Sequence, residues 1–273
     1  MNEWIGRMVE IAEAAGDEIL RIYRTDFDVI AKGDSSPLTL ADLNAHRVIV
    51  QALTELAQDV PIVSEESSLP AFAERRRWKR YWLVDPLDGT REFVSKNGEF
   101  TVNIALIEGT RPVLGVVGVP AQRVVYTGDV KAGRAERRVG GTTETLRVRP
   151  MRGTQSIAVV ASRSHGGERL ETYLETLRAR FSTVERTPVG SSLKLCILAE
   201  GKADLYPRLG PTSEWDIAAA QAVLEAAGGR VATFDLQPLR YNTKESMLNP
   251  EFVAVGDTTF DWNAALPPPP KGV

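Results

Sequence analysis

The pattern of apolar residues changes character near residue 153, and that change limits the folds open to this chain more than any other feature. From Phe100 onward, segments 101–107, 113–119 and 124–127 are rich in Val, Ile and Thr and are separated by Gly109 and Pro120. Short β-rich runs broken by turn residues indicate an antiparallel meander. Two helices precede it. Residues 2–24 place Ile5, Met8, Val9, Ile11, Ala12, Ala15, Ile19 and Leu20 on one helical face, and 39–57 does the same with Ala45, Val48, Ile49, Ala52, Leu53 and Leu56. Segments 61–64 and 81–84 read as short buried strands, and 133–141 as a connection rich in glycine and arginine.

Beyond residue 153 strands and helices alternate. Strands are expected at 157–161, 183–185, 203–206 and 229–234, and helices at 167–180, 192–200 and 214–227. Such alternation builds a mainly parallel, layered half. The expected division is therefore 1–153, an α+β half with an antiparallel sheet, and 154–273, an α/β half with a mainly parallel sheet. No internal repeat is visible, and the proline run 267–270 reads as an extended, mobile end.

Composition narrows the function. A formal charge of −3 and a pI near 5.6 give no reason to expect a nucleic-acid polymer as partner, so an anionic ligand must be drawn by a local site or a bound cation. The single cysteine, Cys196, excludes an internal disulfide and lies in the apolar run 193–199, where a buried structural thiol is expected. Charged residues interrupt the first twenty positions, so neither a signal peptide nor a transmembrane segment is expected. The basic run 75–80 reads as a solvated face before a strand.

The most informative segment is Val84-Asp85-Pro86-Leu87-Asp88-Gly89-Thr90. A buried strand is expected to end on Asp85, with Pro86 stopping the ladder and Gly89 permitting a tight turn. Two carboxylates three residues apart on a turn can converge on one point. Ser64-Glu65-Glu66 ends the preceding strand and Trp215-Asp216 opens a later helix. Taken alone, Asp216 reads as half of a Ser213-x-x-Asp216 capping box, Asp42 as half of a Thr39-x-x-Asp42 box, and Glu66 as a solvated neighbour. Gathered together, such acids repel unless a cation sits among them. Oxygen ligands without His or Cys select a hard ion such as Mg²⁺, and two such ions about 4 Å apart can bridge a phosphate and activate water.

Residues 82–90, with Glu65-Glu66 upstream and Trp215-Asp216 downstream, resemble the signature of the inositol monophosphatase superfamily of lithium-sensitive, magnesium-dependent phosphatases. Residues 91–93 and 97–106 resemble its 3′(2′),5′-bisphosphate nucleotidase branch. So do Ser162-Arg163-Ser164-His165, Gly190-Ser191-Ser192-Leu193-Lys194 and Tyr206-Pro207-Arg208. The resemblance runs from about residue 2 to about 255. It implies a layered αβαβα sandwich with the site between its halves. It also implies that Glu65, Asp85 and the Leu87 carbonyl hold one Mg²⁺ while Asp85, Asp88 and Asp216 hold a second, with two or three ions in all. Thr90, oriented by Asp42, would help Glu65 position and deprotonate the attacking water, and the Gly89 and Thr90 N–H groups would face the phosphate. His165, Ser191, Lys194 and Arg208 correspond to positions that hold the nucleotide. Lys and Arg suit a second phosphate away from the metals. Without that resemblance, His165 reads as a polar loop residue and Lys194 as a snorkelling side chain.

The substrate class implied is a small phosphate ester, with 3′-phosphoadenosine 5′-phosphate or its sulfated precursor first. The resemblance further implies a cytoplasmic enzyme of sulfur metabolism, with peripheral attachment to the inner membrane as a variation. Inositol monophosphate and fructose 1,6-bisphosphate are the rival substrates, and a catalytically silent metal- or nucleotide-binding protein is the rival of another class. The intact acids and Thr90 count against the silent reading.

Overall fold

The apolar stripe of the first helical segment closes one side of the molecule. The structure, a computed structural model, describes residues 3–25, 30–31, 37–162 and 167–270. Helix α1 (Glu3–Tyr23) buries Ile5, Met8, Ile11, Ala15 and Ile19. Burying one Ile or Met side chain contributes about 1.5–3 kcal/mol, which anchors this stripe. After the hairpin pair β1 (Ile30–Ala31) and β2 (Pro37–Leu38), helix α2 (Leu40–Leu56) packs beside α1. Both cover one face of a seven-stranded sheet.

That sheet contains β3 (Ile62–Ser64), β4 (Arg80–Asp88), β5 (Thr101–Glu108), β6 (Arg111–Val119), β7 (Val124–Asp129), β8 (Arg134–Val139) and β9 (Thr142–Thr145), in that order. All its pairs are antiparallel except β3 with β4. Short helices α3 (Phe72–Arg75) and α4 (Thr90–Val94) flank β4. The pleat sorts the side chains: Trp82 and Val84 join the core beneath α1 and α2, whereas Tyr81 and Leu83 join the core on the opposite face.

The second half supplies β10 (Ser156–Ser162), α5 (Gly167–Arg178), β11 (Thr183–Val189), α6 (Leu193–Ala199) and β12 (Leu205–Arg208). Helix α7 (Glu214–Ala226), β13 (Arg230–Thr233), β14 (Phe252–Val255) and α8 (Trp262–Ala265) follow. Its sheet runs β11-β10-β12-β14-β13. Helices α6 and α7 lie between the two sheets. On β10, Ala158 and Val160 face that central layer, while Ile157, Val159 and Ala161 join the cluster of Leu170, Tyr173 and Leu177 on α5 and Trp262 on α8. The layers are therefore α, β, α, β, α, as expected. No helix among the described residues is long and apolar enough to cross a membrane.

Helix α7 approaches the first sheet unusually closely. Gly115 on β6 and Gly128 on β7 are cross-strand partners, and a Cβ on either would stand 2.2 Å from the Ala219 carbonyl or 2.5 Å from that of Ala222. A glycine notch in the sheet thus receives the alanine face of the helix.

Five local expectations change. Segment 133–141 contains β8, because Gly133, Gly140 and Gly141, all at positive φ, serve the turns on either side, and Arg134 and Arg137 reach Glu136 and Glu144. The second sheet has two parallel and two antiparallel pairs, since β14, a segment not assigned from the sequence, returns between β12 and β13. Arg75 is 1% exposed and bonded to Asn242, so it is not part of a solvated face. Strand β4 continues to Asp88, with an irregularity between Asp85 and Asp88 that accommodates Pro86. Pro267 is buried and the Pro270 carbonyl accepts from Arg169 (2.6 Å), so the described end of the proline run is docked. Cys196 is fully buried, as expected, and burial pushes its thiol pKa up.

Candidate active site

The irregularity in β4 is held by its own first carboxylate. Asp85 Oδ1 accepts the Leu87 N–H at 3.0 Å, spanning Pro86, and the Glu65 N–H donates to the Val84 carbonyl at 3.1 Å. Continuing the pleat from Tyr81 and Leu83 puts Asp85 on the face that α7 covers. There it lies near the Glu65 carboxyl. Burial holds the Asp85 carboxyl well above the usual range, and the charges of Glu65, Asp88 and Asp216 add to the shift. Asp216 is raised by burial and then by Asp88. These four acids therefore feel one another across three separate elements.

Gly89, at φ 87, turns the chain from β4 into α4. Thr90 Oγ1 lies 3.4 Å from both Asp42 Oδ1 and the Leu87 carbonyl. Asp42 is 1% exposed and divides its oxygens between two tasks. Its Oδ2 accepts from Thr39 N–H (2.8 Å) and Thr39 Oγ1 (2.7 Å), completing the cap of α2, while Oδ1 faces Thr90. The capping reading of Asp42 is met, and its Oδ1 is left over on the Thr90 side.

The second half closes on Asp88. Ser191, at φ 50, donates its hydroxyl to Asp88 Oδ2, and the Ser192 N–H donates to the same oxygen at 2.7 Å. A serine held at positive φ is strained, which fits a residue fixed by its function. Ser192 Oγ also donates to Asn103 Oδ1 at 2.9 Å, tying the loop to β5. Asp216 Oδ2 accepts the Ser213 N–H at 2.9 Å, so the capping box of α7 is present too.

A cleft of about 370 Å³ opens over these groups, lined by Asp88, Gly89, Thr90, Ser191, Lys194, Arg208 and Asp216 among others. Seven of the twelve residues singled out in the sequence thus line one cleft, whereas Asp42, Glu65, Asp85 and Leu87 do not line it. His165 lies outside the described residues. Lys194 is 6% exposed and donates to the carbonyls of Ser191 (2.5 Å) and Val189 (3.3 Å), with its ammonium 5.5 Å from the Tyr206 ring. Burial pulls its pKa down to about 8 against the opposing charge of Asp88. Arg208 donates to the carbonyls of Gly210 (3.1 Å) and Pro211 (2.6 Å), which aligns the guanidinium along the cleft wall. Ser192, Tyr206, Glu92 and Leu248 also line the cleft and carried no role in the sequence reading. Ser192, Tyr206 and Glu92 fall in runs that carried the resemblance, whereas Leu248 had no signal.

Among the described residues no group of three or more His, Cys, Asp or Glu side chains has the arrangement of a metal cage. Asp88 and Asp216 are instead turned toward the N–H groups of Ser192 and Ser213. The donor chemistry nevertheless fits a hard divalent ion: all candidate ligands are oxygens, and the mutual repulsion recorded at Asp85 is what a dication would relieve.

The sequence pattern of the Inositol monophosphatase family matches residues 1–257, and the chain belongs to that family. Within it, the chain is similar to the 3′(2′),5′-bisphosphate nucleotidase CysQ of Escherichia coli (strain K12) and of Shigella flexneri. Each is 46% identical over 250 residues, covering 91% of this chain and 98% of the relative. The crystal structure of CysQ from Bacteroides thetaiotaomicron superposes with a TM-score of 0.81 at 40% identity, over 94% of this chain and 98% of that one. Family membership implies a divalent-metal-dependent phosphatase.

Proposed function

We propose that this chain hydrolyses the 3′-phosphate of 3′-phosphoadenosine 5′-phosphate, giving AMP and inorganic phosphate, with Mg²⁺ as the metal. One observation carries the reading: a single cleft joins the Asp88, Thr90 and Asp216 wall to the cations Lys194 and Arg208. Acids for a metal and separate cations suit a substrate with two separated phosphates, and the similarity to CysQ nucleotidases names the nucleotide.

Glu65, Asp85, the Leu87 carbonyl, Asp88 and Asp216 would hold the ions, two or three in number. Bound there, Mg²⁺ supplies positive charge for the phosphate oxygens and for the leaving oxygen. Thr90 Oγ1, with Asp42 Oδ1 beside it, orients the water whose oxygen attacks phosphorus, and Glu65 takes a proton from it. The P–O3′ bond breaks as the new P–O bond forms, and the 3′-oxygen leaves as a hydroxyl, protonated by solvent water, to which Glu65 gives up the proton it took. The Gly89 and Thr90 N–H groups stabilise negative charge on the phosphoryl oxygens. Arg208, with Lys194, Ser191 and His165, holds the rest of the nucleotide.

A panel measuring kcat/KM on 3′-phosphoadenosine 5′-phosphate, its sulfated precursor, inositol 1-phosphate and fructose 1,6-bisphosphate tests the proposal. The bisphosphate nucleotides should lead. A preference for inositol 1-phosphate would overturn the nucleotide assignment, and no phosphate release from any of them would leave a silent binding protein.

A further inference from the structure

Asp216 and the Asp85–Asp88 turn lie far apart in the chain, so something must fix one relative to the other. A buried polar chain runs from α3, which leads into the strand carrying Asp85 and Asp88, to the start of α7, which carries Asp216. Arg75 closes α3, just before β4, and is 1% exposed. Its guanidinium donates to Asn242 Oδ1 and to the carbonyls of Lys244 (2.9 Å) and Glu245, and its own carbonyl accepts from Asn242 Nδ2 at 2.7 Å. The Asn242 N–H donates to Glu214 Oε2 at 2.9 Å. Glu214, 1% exposed, is the first residue of α7, two positions before Asp216. The same loop grips the helix start twice more: the Glu214 N–H donates to the Met247 carbonyl (2.8 Å), and Asn249 Nδ2 donates to the Ser213 carbonyl (2.7 Å).

We propose that Arg75, Asn242 and Glu214 form a positioning relay that fixes Asp216 opposite Asp85 and Asp88, and so sets the affinity of the metal site. This rests on the reading of Asp216 as a metal ligand. Each part suits the task. The guanidinium meets three acceptors from two nitrogens held in one plane, a spread that the single nitrogen of a lysine does not offer. Asn242 stands at φ 54, where Asn is tolerated better than most residues, and it serves both neighbours from that one conformation. The chain is buried and bonded at both ends, with Arg75 Nε and Glu214 Oε1 its unpaired atoms, so it has little freedom, as expected of a group that holds a ligand in place. A purely structural bracket would look similar but would affect stability alone.

Mg²⁺ titration calorimetry on the folded protein separates the two, with the melting temperature in chelator as the measure of fold. Asp216→Asn provides the reference loss. Asn242→Gly keeps the left-handed backbone and the N–H to Glu214 while deleting the two side-chain bonds to Arg75; Glu214→Ala deletes the other end. Each should weaken Mg²⁺ binding about 10-fold, the usual scale for groups that orient a metal ligand. Glu214→Gln keeps the acceptor and should stay within about twofold of the parent, and the double variant Asn242→Gly/Glu214→Ala should be no weaker than its weaker parent. The relay is refuted if Asp216→Asn weakens binding while both single variants, or Asn242→Gly alone where Glu214→Ala does not fold, melt lower but bind Mg²⁺ normally. Glu214→Gln matching Glu214→Ala would also refute it. If Asp216→Asn itself binds Mg²⁺ normally, the ligand assignment falls first and the relay falls with it.

Discussion

Replacing Gly115 by alanine should disturb both the stability of the protein and its metal site. The added Cβ would stand 2.2 Å from the Ala219 carbonyl oxygen and 2.8 Å from the Ala222 Cβ. That is roughly 1 Å or more inside ordinary van der Waals separation. The obstacle is helix backbone, which cannot rotate aside like a side chain, and β6 is an interior strand with neighbours on both edges. Helix α7 must therefore retreat. Overpacking of this kind costs about 1–3 kcal/mol, and a clash with backbone belongs at the upper end. A control lies in the same strand: a Cβ on Gly118 meets nothing closer than the Ala12 Cβ at 3.6 Å. Gly118→Ala should be neutral or stabilising by about 0.4–1 kcal/mol, because it restricts the unfolded chain. Urea melts of the two variants read the difference as a shift in midpoint at constant slope. Because α7 begins two residues before Asp216, Gly115→Ala should also weaken Mg²⁺ binding. Equal stability of the two variants would refute close helix–sheet contact at the notch.

Asp85→Asn should lower kcat by at least ~10²-fold, the scale for a key electrostatic group, in a protein that still folds by circular dichroism. Thr90→Ala should lower kcat while calorimetry shows Mg²⁺ affinity retained; collapse of that affinity would make Thr90 a ligand or a structural residue. Asp42→Asn combines two effects, since Oδ2 caps α2 and Oδ1 faces Thr90: a stability loss of about 1 kcal/mol in thermal melts and slower turnover. Arg208→Ala should lower kcat/KM for 3′-phosphoadenosine 5′-phosphate by ~10- to 100-fold, from a charge-assisted bond worth roughly 1.5–3 kcal/mol. On 3′-AMP, which lacks the second phosphate, it should change little.

Periodicity made most of the fold legible before any coordinates. The stripes of α1 and α2, the meander of β5 to β7, and the alternating second half all followed from side-chain spacing. Strand β8 was hidden because its arginines and flanking glycines read as a loop, and only the acidic partners Glu136 and Glu144 make an arginine-rich strand comfortable. The acids of the site were legible because motif and turn chemistry coincide around Asp85. Arg75 was misread for a physical reason: a run of five basic residues in six looks solvated, and the acceptors that bury its first member come from residues 242–245, far along the chain. Local sequence carries no trace of such a partner. Ser192 appeared in the 190–194 motif without a role of its own, because its contribution to Asp88 is a backbone N–H, which any residue type could supply.

Phosphorus NMR of 3′-phosphoadenosine 5′-phosphate incubated with the purified protein tests the central claim most directly, because it follows the two phosphates separately. With Mg²⁺, the 3′-phosphate resonance should disappear as inorganic phosphate grows, the 5′-phosphate resonance should persist as that of AMP, and excess chelator should stop the reaction. Loss of the 5′-phosphate first, or undiminished hydrolysis in chelator, would contradict the account.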